Sequence, residues 1–294
     1  MRTKVRHTLS GALMGCAEVV PGVSGGTIAL VMGIYDRLLL TIRASFAAAT
    51  AAIRLDRAAM REHLDEVQWG LIVPLLAGMA VALLAGAAVI PTLLDRYPHE
   101  SSALFFGLIL ASLVVPWRMW EHRRLPHVVV LAAAALAAFV LTGLPEREVS
   151  DPSYLVVFVA AAFAICALTL PGVSGSYLLL ALGLYVPTLA AVNDRDVAYL
   201  AIFAAGALVG LGAFARVLVR LLRDQRDVTV AALLGLMAGS LRALWPWSEA
   251  DGTLLAPPDE ASAVLPPLLM ALCGIALVLA LLWAERNRTE TVPG

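Results

Sequence analysis

The pentapeptide Pro-Gly-Val-Ser-Gly occurs twice, at 21–25 and at 171–175, each time inside a long apolar stretch, 8–42 and 154–192. Pro21 and Pro171 each remove a helix donor, and Gly22 and Gly172 tolerate non-helical dihedrals, so each stretch is expected to be a helix, a break and a second helix. Ser24 stands where an N-cap belongs, with Gly25, Gly26 and Thr27 opening the arm that follows. Its hydroxyl can accept from a first-turn amide, while the other free amides and the positive helix end attract an anion. Ser174, Gly175, Ser176 and Tyr177 repeat the arrangement. The glycines let a phosphate approach the backbone closely. Two such helix ends meeting near the midplane of a membrane would form an anion site of approximate two-fold symmetry. The competing reading is tight helix crossing at small residues.

Two ionisable residues belong to the same question. Glu18 precedes the first break by three residues. A charge at membrane depth is costly unless paired, neutralised or hydrated, which makes Glu18 a candidate proton carrier or a cap for free amides of the broken segment. Its repeat counterpart is Leu168, so either role is asymmetric. Arg242 is the one basic residue placed inside a span. It is a candidate for neutralising a phosphate or pairing with Glu18, against a snorkelling role beside Trp245 and Trp247. Gly22-Val23-Ser24-Gly25-Gly26 also matches the Gly-x-Ser-x-Gly pattern of a serine nucleophile. Such a serine needs a base, yet the five histidines (His7, His63, His99, His122, His127) fall at span ends or in loops. No metal-ligand cluster, nucleotide loop or cofactor motif is evident.

These residues need elements to hold them. Of 294 residues, 61% are hydrophobic and 15% charged, with net charge −1 and mean hydropathy +0.85. Soluble domains are nearer about 45–50% apolar and about 25% charged. A soluble globular enzyme, a disordered chain and a nucleic-acid-binding protein are excluded by that composition, and an all-α polytopic membrane protein is expected. The cysteines (Cys16, Cys166, Cys273) lie in apolar stretches and imply no disulfide framework. Six stretches have the length of a crossing: 70–94, 101–117, 127–144, 197–219, 228–246 and 264–284. The two interrupted stretches are expected to dip in and return to the side they came from, with a surface segment, 43–68, after the first. That segment mixes charged and apolar positions suited to lying on a membrane. Met1-Arg2-Thr3-Lys4 and Leu13-Met14-Gly15-Cys16 resemble a secretory signal and a lipoprotein box. The apolar run before Cys16 is short and interrupted by Ser10 and Gly11, so the segment is expected to be retained.

Charge supports this topology. With both termini on the cytoplasmic side and both hairpins re-entrant, 17 of the 21 Lys and Arg fall inside, and only Arg96, Arg147 and Arg195 fall outside. The outer 248–263 loop is acidic. An internal repeat agrees: Gly15–Ile42 pairs with Ile165–Val192 at an offset of 150. The segment containing Ala103, Gly107, Leu108, Ser112, Leu113 and Trp117 pairs with the one containing Ala231, Gly235, Leu236, Ser240, Leu241 and Trp245 at an offset of 128. The chain therefore divides into a first repeat, 1–150, and a second, 151–294, within one transmembrane domain. Each half is a hairpin plus three spans, inverted relative to the other. Broken helices at matching places in inverted repeats point to a transporter with its site near the midplane.

Ala17-Glu18-Val19-Val20-Pro21-Gly22-Val23-Ser24-Gly25-Gly26-Thr27 resembles the signature of a bacterial membrane family long catalogued as a domain of unknown function. Leu170–Ser176 and Gly239–Trp247 are similar to that family's other blocks, with Ala111 a departure where glycine is more usual. The resemblance covers nearly the whole chain. It implies return of undecaprenyl phosphate across the bacterial cytoplasmic membrane for carrier-lipid reuse. A lipid phosphate and the surrounding membrane lipids are then the expected partners, the hydroxyls of Ser24, Ser174 and Ser176 holding the head with Arg242 adding charge. The sequence leaves open the coupling ion, the direction of transport and the oligomeric state, a homo-oligomer included. The alternatives are a transporter or channel for a small inorganic anion and an intramembrane hydrolase.

Overall fold

Ser24 and Ser174 each start a helix of seven residues, and each of those helices ends in the same kind of turn. Ser24 (φ −121°, ψ 132°) accepts from the Gly26 amide, and Ser174 (φ −89°, ψ 127°) accepts from the Tyr177 amide. Gly33 (φ +65°) and Gly183 (φ +76°) then close the helices in the left-handed region that favours glycine. The buried Ile34 and Leu184 follow, each opening the next helix.

The structure is a computed structural model and describes residues 2–19, 23–144, 149, 152–249 and 252–289. Pro21 and Gly22 lie outside them, as does Arg147. Among the described residues every named element is a helix, with one isolated antiparallel bridge between Ser248 and Leu254. The first half comprises α1 (Arg2–Glu18), α2 (Gly25–Val31), α3 (Tyr35–Ile53), α4 (Arg57–Glu66), α5 (Trp69–Arg96), α6 (Pro98–Ser112), α7 (Val114–Met119) and α8 (Leu125–Leu141). The second comprises α9 (Tyr154–Thr169), α10 (Gly175–Ala181), α11 (Tyr185–Asn193), α12 (Val197–Asp224), α13 (Arg226–Ser240), a 3-10 turn (Leu241–Leu244) and α14 (Ala261–Thr289). Five helices among the described residues are long and apolar enough to cross a membrane, or six if the pair α10 and α11, bent by 108°, is taken as one. The apolar α8 has 17 residues and is about 25 Å long. Val81, Leu84, Leu136 and Phe163 are more than 60% exposed, as expected for side chains meeting hydrocarbon. Helix α3, which follows α2 across the Gly33 turn, runs on to Ile53, past position 42 where the hairpin was expected to stop, and α4 folds back along it.

Both broken segments bring their ends together. Arg6, in the first turns of α1, donates to the Met32 carbonyl just after α2 (3.1 Å). The Val149 amide, ahead of α9, donates to the Gly183 carbonyl just after α10 (3.1 Å).

Glycines set the closest helix pairs. On α1 and α5, Gly11 lies against Leu75 and Gly15 against Met79, so the two run parallel. On α9 and α12, Gly206 lies against Phe158 and Gly210 against Ala162, again parallel. Gly78 meets Thr8 as Gly206 meets Phe158, and these are equivalent positions under the two repeat offsets. The remaining pairs exchange partners between halves. Helix α6 packs along α14, and α8 packs along α13 with Gly235 against Leu131 and Gly239 against Ala135. The core gathers buried residues from both halves, including Leu30, Ile34, Leu39, Leu75, Val230 and Met237.

A Cβ at Gly235 would run into the Leu131 carbonyl, which belongs to helical backbone and cannot move aside. Gly235→Leu is therefore expected to cost about 1–3 kcal/mol and to lower the melting temperature of the detergent-purified protein. Gly70→Ala, at a helical glycine with nothing within 4 Å of its Cβ position, is expected to leave that temperature unchanged.

Candidate functional site

The two breaks touch. Ser24 Oγ, fully buried, donates to the Leu170 carbonyl (3.0 Å) while accepting from the Gly26 amide (3.1 Å). The Gly172 amide donates to Thr27 Oγ1 (3.0 Å), and Tyr35 Oη donates to the Thr169 carbonyl (3.1 Å). The start of α2 thus lies on the end of α9. Pro171 and Gly172 occupy the turn after it, where Gly172 (φ +83°) presses on the backbone of Met237 in α13. Side chains of the first segment thus satisfy the Thr169 and Leu170 carbonyls and the Gly172 amide at the second, and such pairing is the condition under which non-helical chain survives at membrane depth.

The amides at the two breaks are in different states. At the first, Gly25 N donates to Glu18 Oε1 (2.8 Å), Gly26 N to Ser24 Oγ, and Thr27 N to the Ser24 carbonyl (3.0 Å). The Glu18 carboxylate occupies the position that an external anion would take. At the second, Tyr177 N reaches Ser174 Oγ (3.4 Å), while the amides of Gly175 and Ser176 have no hydrogen-bond partner among the described residues. Ser174 Oγ and Ser176 Oγ lie 2.8 Å apart in a mutual hydrogen bond.

A cavity of about 310 Å³ starts at Glu18 and Gly26. Tyr35, Thr41, Ser45 and Thr169 supply its other polar groups, and leucine, isoleucine, methionine and phenylalanine side chains from α1, α3, α5, α9 and α12 form the rest. Leu76 on its rim is 54% exposed, so the cavity opens on the apolar perimeter of the bundle. A polar end and an apolar channel with a side opening suit an amphiphile.

Arg242 lies elsewhere. It sits on the 3-10 turn after α13, with its guanidinium 4.6 Å from the Phe139 ring centroid and its Nη atoms donating to the carbonyls of Phe139 and Gly252 (3.1 Å each). Nε is buried without a partner among the described residues. These contacts place Arg242 at the C-terminal turn of α8, where a cation satisfies terminal carbonyls. The Tyr177 hydroxyl of α10 reaches the same turn by donating to the Thr142 carbonyl (2.6 Å). The structure thus brings together Glu18, Ser24, Gly25, Gly26, Thr27, Pro171 and Gly172, with Ser174, Gly175 and Ser176 on the adjoining helix. Among the described residues it shows no contact between Arg242 and Glu18. Tyr35 was not singled out as a site residue from sequence, although it falls within the repeated 15–42 segment, and Tyr177 was named only for its place at the start of the second arm. Ser24 has its proton on the Leu170 carbonyl, and His7, at the far end of α1, donates from Nδ1 to the Gly70 carbonyl (2.8 Å).

The chain matches the family described as VCA0040-like: Undecaprenyl phosphate translocase-like over residues 14–260. It is 40% identical over 242 residues to a polyprenyl-phosphate transporter of Vibrio cholerae serotype O1 (strain ATCC 39315 / El Tor Inaba N16961), covering 82% of this chain and 77% of that protein. It is 26% identical over 257 residues to a polyprenyl-phosphate transporter of Staphylococcus aureus (strain NCTC 8325 / PS 47), covering 82% and 86%. No solved structure matches it significantly.

Thr27→Val keeps shape but leaves the buried Gly172 amide without its acceptor. It is expected to cost about 1–3 kcal/mol, read as a lower melting temperature. Thr8→Val, on an exposed hydroxyl that bonds only within its own helix, is the control and is expected to change little.

Proposed function

Because the chain belongs to the undecaprenyl phosphate translocase-like family, we propose that it carries a polyprenyl phosphate, undecaprenyl phosphate foremost, across the bacterial cytoplasmic membrane. The observation that carries the reading is the contact between the two breaks at the polar end of a cavity that is otherwise apolar and opens sideways. An anionic head cannot cross hydrocarbon unaided, whereas a polyprenyl chain can stay in it. Only the head needs shielding, and an opening toward lipid leaves the tail outside. A small inorganic anion makes no use of that apolar lining, and a serine whose proton is held by a carbonyl makes a poor nucleophile. Transport without catalysis is the better account.

In this reading Glu18 stands in for the substrate when the site is empty. Its carboxylate holds the Gly25 amide. The incoming phosphate takes that amide, with those of Gly175 and Ser176, and Glu18 withdraws or takes up a proton. Arg242 acts from the α8 terminus, as a fixed positive charge beside the Tyr177 tether. The N-terminus is cytoplasmic and both broken segments are re-entrant. The Arg6–Met32 and Val149–Gly183 bonds support this, since each closes its segment back to its starting side. Inversion of the halves is supported by packing direction. Helix α5 turns into α6 at Tyr97, α12 turns into α13 at Gln225, and α8 and α13 run parallel. If the spans alternate in direction along each half, α5 and α12 then run in opposite directions, each with its own broken segment beside it. Rocking of one half on the other would expose the head to each leaflet in turn.

The deciding experiment is uptake of a fluorescent polyprenyl phosphate by proteoliposomes. Ser24→Ala and Ser176→Ala are each expected to slow it about tenfold while the protein still melts cooperatively. Transport at the wild-type rate in both variants would overturn the head site. In the same vesicles, Glu18→Gln is expected to make the rate insensitive to an imposed pH gradient, because the amide oxygen can still accept from Gly25 but no proton is exchanged. A gradient dependence as large as that of the wild type would remove Glu18 from the mechanism.

A further inference from the structure

A second cavity, of about 380 Å³, lies between α3 and the turn joining α12 to α13. Arg43 of α3, Arg223 near the end of α12 and Arg226 at the start of α13 line it, facing one carboxylate, Asp36. The arginines are weakly held. Arg43 lies 3.6 Å from Glu66 and Arg223 lies 3.8 Å from Asp224, both distances beyond a good hydrogen bond and both between solvent-exposed side chains. Arg226 has no hydrogen bond or ion pair among the described residues. Guanidinium groups present a planar fork that matches phosphate oxygens, and groups without a strong partner can turn to a new one at small cost.

This recess adjoins the transport cavity. Leu39, only 2% exposed, lines both and is the partition between them. Leu40 and Leu222 give the recess an apolar wall beside its cationic rim. Cations at the edge and hydrocarbon behind are the features that an amphiphile with a small dianionic head would recognise.

We propose that the Arg43–Arg223–Arg226 recess binds the phosphate-monoester head of a lipid at the cytoplasmic face, as a station next to the site at the breaks. The assignment of the face and of the substrate class rests on the function proposed above. Free phosphate shares the same chemistry, and the test separates the two sources.

Farnesyl phosphate, a short soluble polyprenyl phosphate, is titrated against the full-length protein in detergent micelles, with farnesol as the phosphate-free control and inorganic phosphate as competitor. Arg226→Gln is expected to weaken farnesyl phosphate binding about tenfold, and the triple variant R43Q/R223Q/R226Q more than that, with farnesol binding unchanged. All three side chains are on the surface, so unchanged melting temperatures are expected to accompany the loss. Millimolar inorganic phosphate that displaces farnesyl phosphate would mark the recess as a general phosphate site, and failure to displace it would mark a lipid-head site. Wild-type affinity in the triple variant would overturn the proposal. A diazirine-bearing farnesyl phosphate supplies an independent readout, labelling the peptide that carries 219–226, which does not line the transport cavity, in the wild type and sparing it in the triple variant. Labelling there that persists in Ser24→Ala, with transport by that variant unimpaired, would remove the site at the breaks while leaving the recess standing.

Discussion

Backbone that leaves the helix inside a membrane has no water to bond to, and the rest of this molecule is arranged around that constraint. Each of the two interruptions exposes amides and carbonyls, and side chains of the first segment answer several of those at the second. Ser24 supplies a hydroxyl to the end of α9, and Thr27 accepts the amide of Gly172. The contact fixes the start of α2 against the end of α9. The apolar cavity begins at the same place, with Glu18, Gly26 and Thr169 among its lining.

Placing a carboxylate at this point makes the site conditional. Glu18 satisfies the Gly25 amide while no other anion is present, which keeps the first break from being a permanently open positive end. The second break has no equivalent, because Leu168 stands where a second glutamate would be. The pair is therefore symmetric in backbone and asymmetric in charge. Under the function proposed above, an anion would meet one end that must first be vacated and another whose amides at Gly175 and Ser176 have no partner among the described residues.

Much of this was legible in the sequence, for identifiable reasons. Proline and glycine act locally, so Pro171 and Gly172 mark the second turn with no knowledge of the fold, and the serine caps follow from position alone. Hydropathy located the long helices because length and apolarity are themselves the requirement for crossing. Arg242 was harder to read. Hydropathy gives its depth along the helix axis but not its direction around it, and the carbonyls of Phe139 and Gly252 that hold it come from distant parts of the chain. The continuation of α3 to Ile53 was hidden for a different reason, since charges that begin at Arg43 look like the end of a membrane segment although the helix itself is unbroken. Gly107 and Gly235 were visible as a repeated pair, but nothing in either segment says that the partner helix lies in the opposite half.

That last exchange bears on biogenesis. As the nascent chain leaves the ribosome, α6 and α8 enter the bilayer long before α14 and α13 have been made, and the faces built for those late partners, around Gly107 on α6 and Leu131 and Ala135 on α8, stay bathed in lipid until translation is nearly over. The α6–α14 and α8–α13 packing ties early and late parts of the chain together. Maturation must conclude with the last helix threading back against the oldest part of the bundle, so a protein severed between its halves would need both fragments in one membrane before either became whole.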